Sequence, residues 1–318
     1  MYHFEGERTG FCQVGPKKWI FPSPYMPYAE KYYNVPLRED DVWIVTYPRS
    51  GTTLCQEIIW LINNNLDYKT SKSVNLTQRF PFYEFQILHH DEVHKEIEVL
   101  NNNDPEVNEQ LRKWRIPGYI TLEQLPSPRH IKTHFSFSLL PPKLIDTCKV
   151  IYVARNPKDV AVSYYHHNLL FKVHGYLNKG GFKKYWEFFQ KDLLTFSPYW
   201  EHIREGWEKR NEKNVLFLFY EDLIKDMSSG IKKIAKFLEK TIGIDDVNQL
   251  VNHLQIDNFR KSVPITYSVN GMARESAQPF IRQGKVGENK EFTDDILESA
   301  DKWIEENANK IGIKFPVK

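Results

Sequence analysis

The feature that most constrains the fold is a short apolar segment, Asp41 to Thr46, with a turn and a helical pattern directly after it. Its nearly continuous apolar run is typical of a strand that is buried on both faces. After the turn, apolar residues recur at helical spacing from Thr53 to Asn63. A buried strand that leads through a tight turn into a helix is the building unit of parallel α/β sheets.

The same strand–turn–helix pattern occurs twice more along the chain. Strand 149–154 precedes a helical pattern from about Lys158 to His167, and strand 214–220 precedes one near Ile231 to Lys240. A fourth candidate strand is residues 129–133. Alternating strands and helices predict an α/β fold with a central, mainly parallel sheet that helices flank on both faces.

The chain shows no repeat and no interdomain linker, so we predict a single domain over residues 1–318. Residues 1–37 are rich in aromatic residues, Pro and Gly, and predict an irregular arm that packs on the domain. Residues 86–120 are polar and turn-forming, and predict an inserted excursion with one or two short helices. Its clustered histidines suggest a metal site only weakly, because no second ligand pair follows at suitable spacing.

Charge and cysteine content exclude several classes of protein. The net charge of +2 is too balanced for a nucleic-acid coat. The sequence has no apolar signal core near Met1 and no run of about 18 apolar residues, which disfavours membrane association. Three cysteines without a C-x-x-C motif disfavour zinc and a disulfide framework. We therefore expect a cytoplasmic protein.

The turn Tyr47 to Thr53 has the composition of a phosphate-binding loop. It follows the carboxyl end of a strand and opens onto a helix N-terminus, where free N–H groups and the helix dipole favour anions. Gly51 allows close backbone approach, the hydroxyls of residues 50, 52 and 53 are donors, and Arg49 adds positive charge. It is not a Walker A loop, because the preceding glycine and the lysine are missing. The alternative is a plain strand-to-helix turn.

Two further segments could bind a second phosphate. Arg155 follows a buried strand, and Ser163 lies eight positions later, on the same rough side of the next helix. The alternative is a salt-bridged arginine and a surface serine. The segment Phe280 to Lys290 contains two glycines and three cations and resembles a basic flap, although such runs are often only solvated loops.

Lys132 and His134 end another predicted strand at the same edge of the sheet. The unperturbed pKa of histidine, about 6.5, suits it to take a proton from a hydroxyl group. A lysine beside it can stabilise developing negative charge. The pair is informative because it falls at the edge that carries the phosphate loop.

Together these segments resemble the cytosolic sulfotransferase family, which transfers a sulfuryl group from 3′-phosphoadenosine 5′-phosphosulfate (PAPS). The similarity extends from about Asp41 to Phe292. It is carried by the segments 46–53, 132–134, 155–165, 219–222 and 280–287, and the segment 80–85 is similar to the family's acceptor-pocket segment. The long excursion after Phe85 is similar to the acceptor-side lid of some invertebrate members.

The resemblance implies a role for each matching residue. His134 would be the general base, and Lys132, Arg49 and Ser163 would complete the catalytic set. Phe82 and Phe85 would form an apolar acceptor pocket beside His134. The product would be the bisphosphate PAP, with no metal required. The implied donor-binding residues are Arg49, Ser50, Gly51, Thr52, Thr53, Leu54, Arg155, Ser163, Tyr220, Phe280, Arg282, Gln283 and Gly284.

The chain departs from the family pattern at several of these positions. Arg49 and Gln283 stand where lysine is usual, and Leu54 stands where the family has a tryptophan that stacks on adenine. Loss of that stack predicts donor binding that is weaker by ~1–3 kcal/mol. The family's dimer motif retains Lys290, Thr293 and Glu298, but Asp294 replaces its valine, so a homodimer is possible with a degraded motif.

We therefore predict a PAPS-dependent sulfotransferase that acts on a hydroxyl or amine of a small, partly apolar acceptor. Dehydration of an alcohol through its sulfate is an open alternative. A second alternative is a nucleotide- or ligand-binding protein with little catalysis, and a third is a nucleotide kinase with an atypical phosphate loop.

Overall fold

The computed structural model describes residues 3–4, 7–264, 269–274, 280–281, 286–287 and 290–316. Its strands are β1 (Phe11–Val14), β2 (Trp19–Pro22), β3 (Val42–Thr46), β4 (His130–Thr133), β5 (Lys149–Ala154) and β6 (Val215–Phe219). Its α-helices are α1 (Ala29–Tyr33), α2 (Thr52–Asn63), α3 (Tyr68–Ser73), α4 (Leu76–Arg79), α5 (Asp91–Leu100), α6 (Pro105–Trp114), α7 (Gly118–Gln124), α8 (Leu144–Thr147), α9 (Pro157–Leu170), α10 (Gly181–Gln190), α11 (Tyr199–Glu208), α12 (Tyr220–Lys225), α13 (Met227–Phe237), α14 (Ile244–His253), α15 (Ile256–Ser262) and α16 (Asp294–Ile311). Within the described ranges, no helix combines the length and the apolar character needed to cross a membrane.

The central sheet has four strands in the order β4-β3-β5-β6, and all three pairings are parallel. In the register, Val42 of β3 lies opposite His130 of β4 and Lys149 of β5. The α/β class and the parallel sheet predicted from the sequence are confirmed. Because the strands are parallel, the loops after β3, β4 and β5 all leave from one edge of the sheet.

The sheet lies between two apolar layers because alternate side chains of a strand point to opposite faces. Trp43 and Tyr152 pack into one buried cluster, whereas Ile44 and Ile151 pack into the other. The second cluster also contains the apolar face of α2. Burial on both faces explains the continuous apolar runs of β3 and β5 and fixes α2 directly behind β3.

The arm of residues 1–37 is more regular than the sequence predicts. Strands β1 and β2 form an antiparallel hairpin in which Phe11 lies opposite Pro22. Gly15 and Lys18 both have positive φ, at 67° and 59°, and close the turn between the strands. All four residues of β2 are buried. The expectation of an irregular arm was therefore wrong for this part, since four-residue strands are too short to give a clear alternating pattern.

The excursion of residues 86–120 contains α5, α6 and the start of α7, rather than one or two short helices. Helix α6 is capped by Asp104, whose carboxylate accepts hydrogen bonds from the N–H groups of Glu106 and Val107. Two side-chain contacts join the excursion to the arm: an ion pair of Arg8 with Glu96 at 2.8 Å, and a contact of Glu7 with His90 Nε2 at 3.0 Å. The apolar faces of α5 and α6 pack against the end of α9.

Candidate active site

The loop between β3 and α2 has a backbone that only a specific sequence can adopt. Arg49 has φ 68° and Gly51 has φ 99°, both in the left-handed region. A Cβ atom added to Gly51 would lie 2.3 Å from Cδ2 of Tyr220, which packs on the loop from the end of β6. Glycine is therefore required at 51 for both its conformation and its size. The turn leaves the N-terminus of α2 open toward the carboxyl edge of the sheet.

The hydroxyl groups of the loop differ in their surroundings. Thr52 Oγ1 lies 2.7 Å from Thr46 Oγ1 in β3. Ser50 is fully buried, and its Oγ has no hydrogen-bond partner in the part of the chain that the structure describes. A buried polar atom without a partner is unfavourable by ~1–3 kcal/mol, so a ligand oxygen at this loop would have a donor ready.

Arg49 connects three segments that are distant in sequence. Its Nε donates a hydrogen bond to Ser163 Oγ at 3.1 Å, and a terminal nitrogen donates to the carbonyl of Phe280 at 2.8 Å. Its guanidinium also lies 4.8 Å from the centre of the Phe280 ring. The predicted flap residues Arg282, Gln283 and Gly284 lie outside the described residues.

Arg155 lies at the end of β5, against the same loop. Its Nη1 donates to the carbonyl of Arg49 at 3.0 Å, and its guanidinium lies 4.4 Å from the centre of the Tyr220 ring. The Asp159 carboxylate lies 3.9 Å from Arg155 and also accepts hydrogen bonds from the N–H of Gly287 at 3.1 Å. The structure thus brings together the loop, Arg155 and Tyr220, which the sequence predicts as one binding site.

His134 follows β4, and its contacts indicate which ring nitrogen carries the proton. Nδ1 lies 2.7 Å from the carbonyl oxygen of Thr46, and a carbonyl can only accept a hydrogen bond. Nδ1 therefore carries the hydrogen, and Nε2 is left as the basic nitrogen. Burial, with the charge of Lys132 as the next cause, holds the pKa of His134 well below its usual range. The ring is therefore neutral at physiological pH.

Glu84 holds the strand end that carries His134, a role that was not predicted from the sequence. This fully buried carboxylate accepts hydrogen bonds from the backbone N–H of His134 at 2.5 Å and from Thr133 Oγ1 at 2.7 Å. Burial raises the pKa of Glu84 to about 7 despite these two bonds. The available signal was a lone carboxylate inside the aromatic segment Phe80 to Phe85.

Lys132 and Phe82 lie together beside His134. The Lys132 ammonium lies 4.1 Å from the centre of the Phe82 ring, and the Phe82 and His134 rings are 5.0 Å apart between centroids. Burial lowers the pKa of Lys132 to about 8, with Glu84 opposing this shift and Arg49 adding to it. Phe85 extends the aromatic wall, 5.5 Å from Phe82 between ring centroids.

These residues line one cavity of about 420 Å³. Of the predicted site residues within the described ranges, Ser50 alone does not line this cavity. The loop, Arg155 and Tyr220 contact one another in one part of the wall. The Phe82 and Phe85 rings lie with Lys132 and His134 in another part. The cavity is also lined by residues that the sequence analysis did not assign to a site, among them Leu88, His167, Phe171, His174 and Met272. Among the described residues, no group of three or more His, Cys, Asp or Glu is placed to hold a metal ion.

Comparison with known proteins gives one consistent family. Residues 39–312 match the family model described as the sulfotransferase domain. The chain is 31% identical over 311 residues to a luciferin sulfotransferase of Photinus pyralis, covering 93% of this chain and 80% of that protein. It is 36% identical over 262 residues to sulfotransferase 1 family member D1 of Mus musculus, covering 80% and 79% of the two chains.

A solved structure is similar over almost the whole chain. It is described as retinol dehydratase in a complex with retinol and PAP, with a TM-score of 0.91 and 34% sequence identity, covering 99% of this chain and 94% of that one. The same protein has also been solved with androsterone and PAP, at the same TM-score. From the match to the domain model and these relatives, the chain belongs to the sulfotransferase family.

Proposed function

We propose that this chain transfers a sulfuryl group from PAPS to the hydroxyl or amine of a small, largely apolar acceptor. One observation carries the proposal. A neutral histidine with a basic Nε2, His134, lies beside Lys132 in a cavity that the phosphate loop shares with an aromatic wall. A general base, an electrostatic stabiliser and an anion site in one cavity are what group transfer from an anionic donor requires.

The residues present fit the donor. Gly51 has no Cβ where the Tyr220 ring approaches, and the buried Ser50 hydroxyl has no protein partner in the described ranges. Arg49 and Arg155 supply two cations at this end of the cavity. We propose that donor binding involves these residues with Thr52, Thr53, Leu54, Ser163, Phe280, Arg282, Gln283 and Gly284.

In the proposed reaction, His134 Nε2 takes the proton of the acceptor hydroxyl while the hydroxyl oxygen forms its bond to sulfur. PAPS supplies the sulfuryl group, with PAP as the leaving product. Lys132 and Arg49 stabilise the negative charge that develops, and Ser163 positions Arg49 through their hydrogen bond. Thr46 fixes the tautomer of His134, and Glu84 holds its backbone.

The acceptor is proposed to be a neutral alcohol with an apolar frame. The acceptor end of the cavity is lined by Phe82, Phe85, Leu88 and Met272. The excursion of residues 86–120 contributes Leu88 and packs beside Met272, so we propose that it covers the acceptor. Retinol and androsterone, named in the complexes of the similar solved structure, have this chemistry. We also propose a cytoplasmic location.

Dehydration of the acceptor is a second candidate, favoured by the 34% identity to a retinol dehydratase over nearly the full chain. In that case the sulfate ester would lose sulfate and a proton to give an alkene. Mass analysis of the product separates the two reactions, because one adds an SO₃ group and the other removes one water.

The test is an acceptor screen combined with a binding measurement. The purified chain is incubated with labelled PAPS and retinol, a steroid alcohol, a phenol and an amine, and PAP binding is measured by calorimetry. Transfer of label to at least one acceptor is expected. Tight PAP binding with neither transfer of label nor a dehydrated product from any of them would instead support the nucleotide-binding alternative, and absence of PAP binding would contradict both.

Gly51→Ala is expected to weaken PAP binding by about tenfold or more. The new Cβ would collide with the Tyr220 ring, and a left-handed conformation is unfavourable for alanine by ~1–3 kcal/mol. Calorimetric titration with PAP measures the effect. Gly15→Ala is the matched control, because Gly15 also has positive φ but nothing lies within 4 Å of its added Cβ. Equal PAP affinity in Gly51→Ala and the unchanged chain would contradict the assigned loop.

The pH profile is expected to have an alkaline limb near pH 8, and His134 itself should add no acid limb near neutrality. Lys132, with a pKa of about 8, loses its charge as the pH rises through that value. His134, with a pKa well below its usual range, stays neutral down to well below pH 6.5. At pH values above about 8, kcat/KM for the donor should fall about tenfold per pH unit. Lys132→Arg should remove the limb, and an unchanged limb in that variant would refute the assignment.

A further inference from the structure

Two histidines line the cavity without a role in the proposed reaction. His167 lies on α9 one helical turn after Ser163, so both side chains face the same side of the helix. His174 follows the end of α9, and the two rings are 4.9 Å apart between centroids. Each ring is partly exposed and contributes to the cavity wall.

The two histidines extend from the reacting groups toward the arm. His167 shares the cavity wall with Arg49 and Lys132, whose positive charges help to lower its pKa. His174 also lines a second, smaller cavity of about 20 Å³, together with Leu88 and the arm residue Phe11. The pair thus borders both the large cavity and the smaller one beside the arm.

The hydrogen bonding of His167 is incomplete among the described residues. His167 Nδ1 is buried and has no hydrogen-bond partner in the described ranges. Two of its neighbours are apolar, because the Phe171 and Phe280 rings lie 4.9 Å and 5.9 Å from the His167 ring between centroids. An unpaired polar atom in such surroundings is unfavourable by ~1–3 kcal/mol, and a ligand that pairs with it removes that penalty.

The protonation state defines which ligand group fits. Burial lowers the pKa of His174 to about 4 and holds the pKa of His167 well below its usual range. A neutral imidazole has one N–H donor and one acceptor nitrogen. It can therefore form a hydrogen bond with a neutral hydroxyl or carbonyl group, but it has no positive charge to attract a carboxylate.

We propose that His167 and His174 form a second polar contact for the acceptor. The acceptor would then be an alcohol that carries a second neutral group, either a hydroxyl or a carbonyl. An apolar frame would separate this second group from the reacting hydroxyl. This inference rests on the proposed sulfuryl transfer, and it makes the two histidines specificity-determining residues.

The test compares matched acceptors in matched variants. The pair of acceptors is a 3-hydroxysteroid without a second polar group and its 17-keto analogue. The unchanged chain is expected to favour the keto analogue by about tenfold in kcat/KM, equivalent to one hydrogen bond. His167→Phe and His174→Phe should reduce this preference to about twofold or less, mainly by lowering kcat/KM for the keto analogue, and His167→Gln should restore part of it.

Three results would overturn the inference: no preference in the unchanged chain, a preference that survives both Phe variants, or an equal loss for both acceptors. The unchanged chain tests the preference without any substitution, so a misfolded variant cannot obscure the answer. Binding of the same two steroids to the PAP-saturated protein is measured in parallel. If no steroid is sulfated but the keto analogue still binds more tightly through His167, the proposed function fails and the binding site stands.

Discussion

Replacing His134 with alanine is expected to lower kcat by a factor of about 10²–10⁴, the range typical of a lost general base. Nε2 of this ring is the basic nitrogen, because Nδ1 donates its hydrogen to the carbonyl of Thr46 at 2.7 Å. PAP binding should change little, since the phosphate loop does not depend on this ring. Transfer of label from PAPS measures the rate, and calorimetry measures the binding.

His166→Ala is the control for this prediction. His166 lies on α9, pairs with Glu291 at 2.5 Å, and is not part of the cavity wall. Its replacement should leave the transfer rate within about twofold, because a residue outside the cavity has no contact with the reacting groups. Full activity of His134→Ala would show that another group takes the proton.

Glu57→Gln is expected to lower the free energy of unfolding by about 3–5 kcal/mol, because breaking a buried ion pair leaves its partner charge uncompensated. Glu57 is fully buried on α2 and pairs with the buried Arg79 of α4 at 2.8 Å. It also accepts hydrogen bonds from His253 Nε2 at 2.9 Å and from Ser71. Urea unfolding of both proteins, followed by circular dichroism, measures the difference.

The matched control is Glu109→Gln, which breaks the exposed pair with Arg112 on α6 and should change stability by less than about 0.5 kcal/mol. The pH gives a second check. Burial raises the pKa of Glu57, but His253 and Arg79 outweigh burial, and the net shift is downward. The contribution of Glu57 is therefore present at neutral pH and lost as the pH falls through its folded-state pKa. Equal stability losses for the two substitutions would contradict this account.

The parts of the fold that the sequence predicts are those with a local signal. The strands β3 and β5 are continuous apolar runs because they are buried on both faces. In the helix after β3, apolar residues recur at helical spacing. Loop Tyr47 to Thr53 was recognisable because glycine, hydroxyl residues and arginine stand together at a strand end. The hairpin of β1 and β2 was missed because each strand has only four residues.

The contacts that the sequence did not predict join residues far apart in the chain. Glu84 reaches His134 across 50 positions, and Arg49 reaches the carbonyl of Phe280 across 231. Periodicity describes one element at a time and contains no information on which elements meet. His167 was a different kind of omission, since its spacing from Ser163 already placed it on the same face of α9.

The cavity that the phosphate loop shares with the aromatic wall has a consequence for inhibitor design. Gly51 of the loop, Phe85 of the wall and His134 all line this space. A bisubstrate compound that joins an adenosine bisphosphate to an apolar alcohol could fill both ends in one molecule. Once one half is bound, the other half experiences an effective concentration on the order of millimolar. Two weak fragments could thus become one tight and selective chemical probe for this chain.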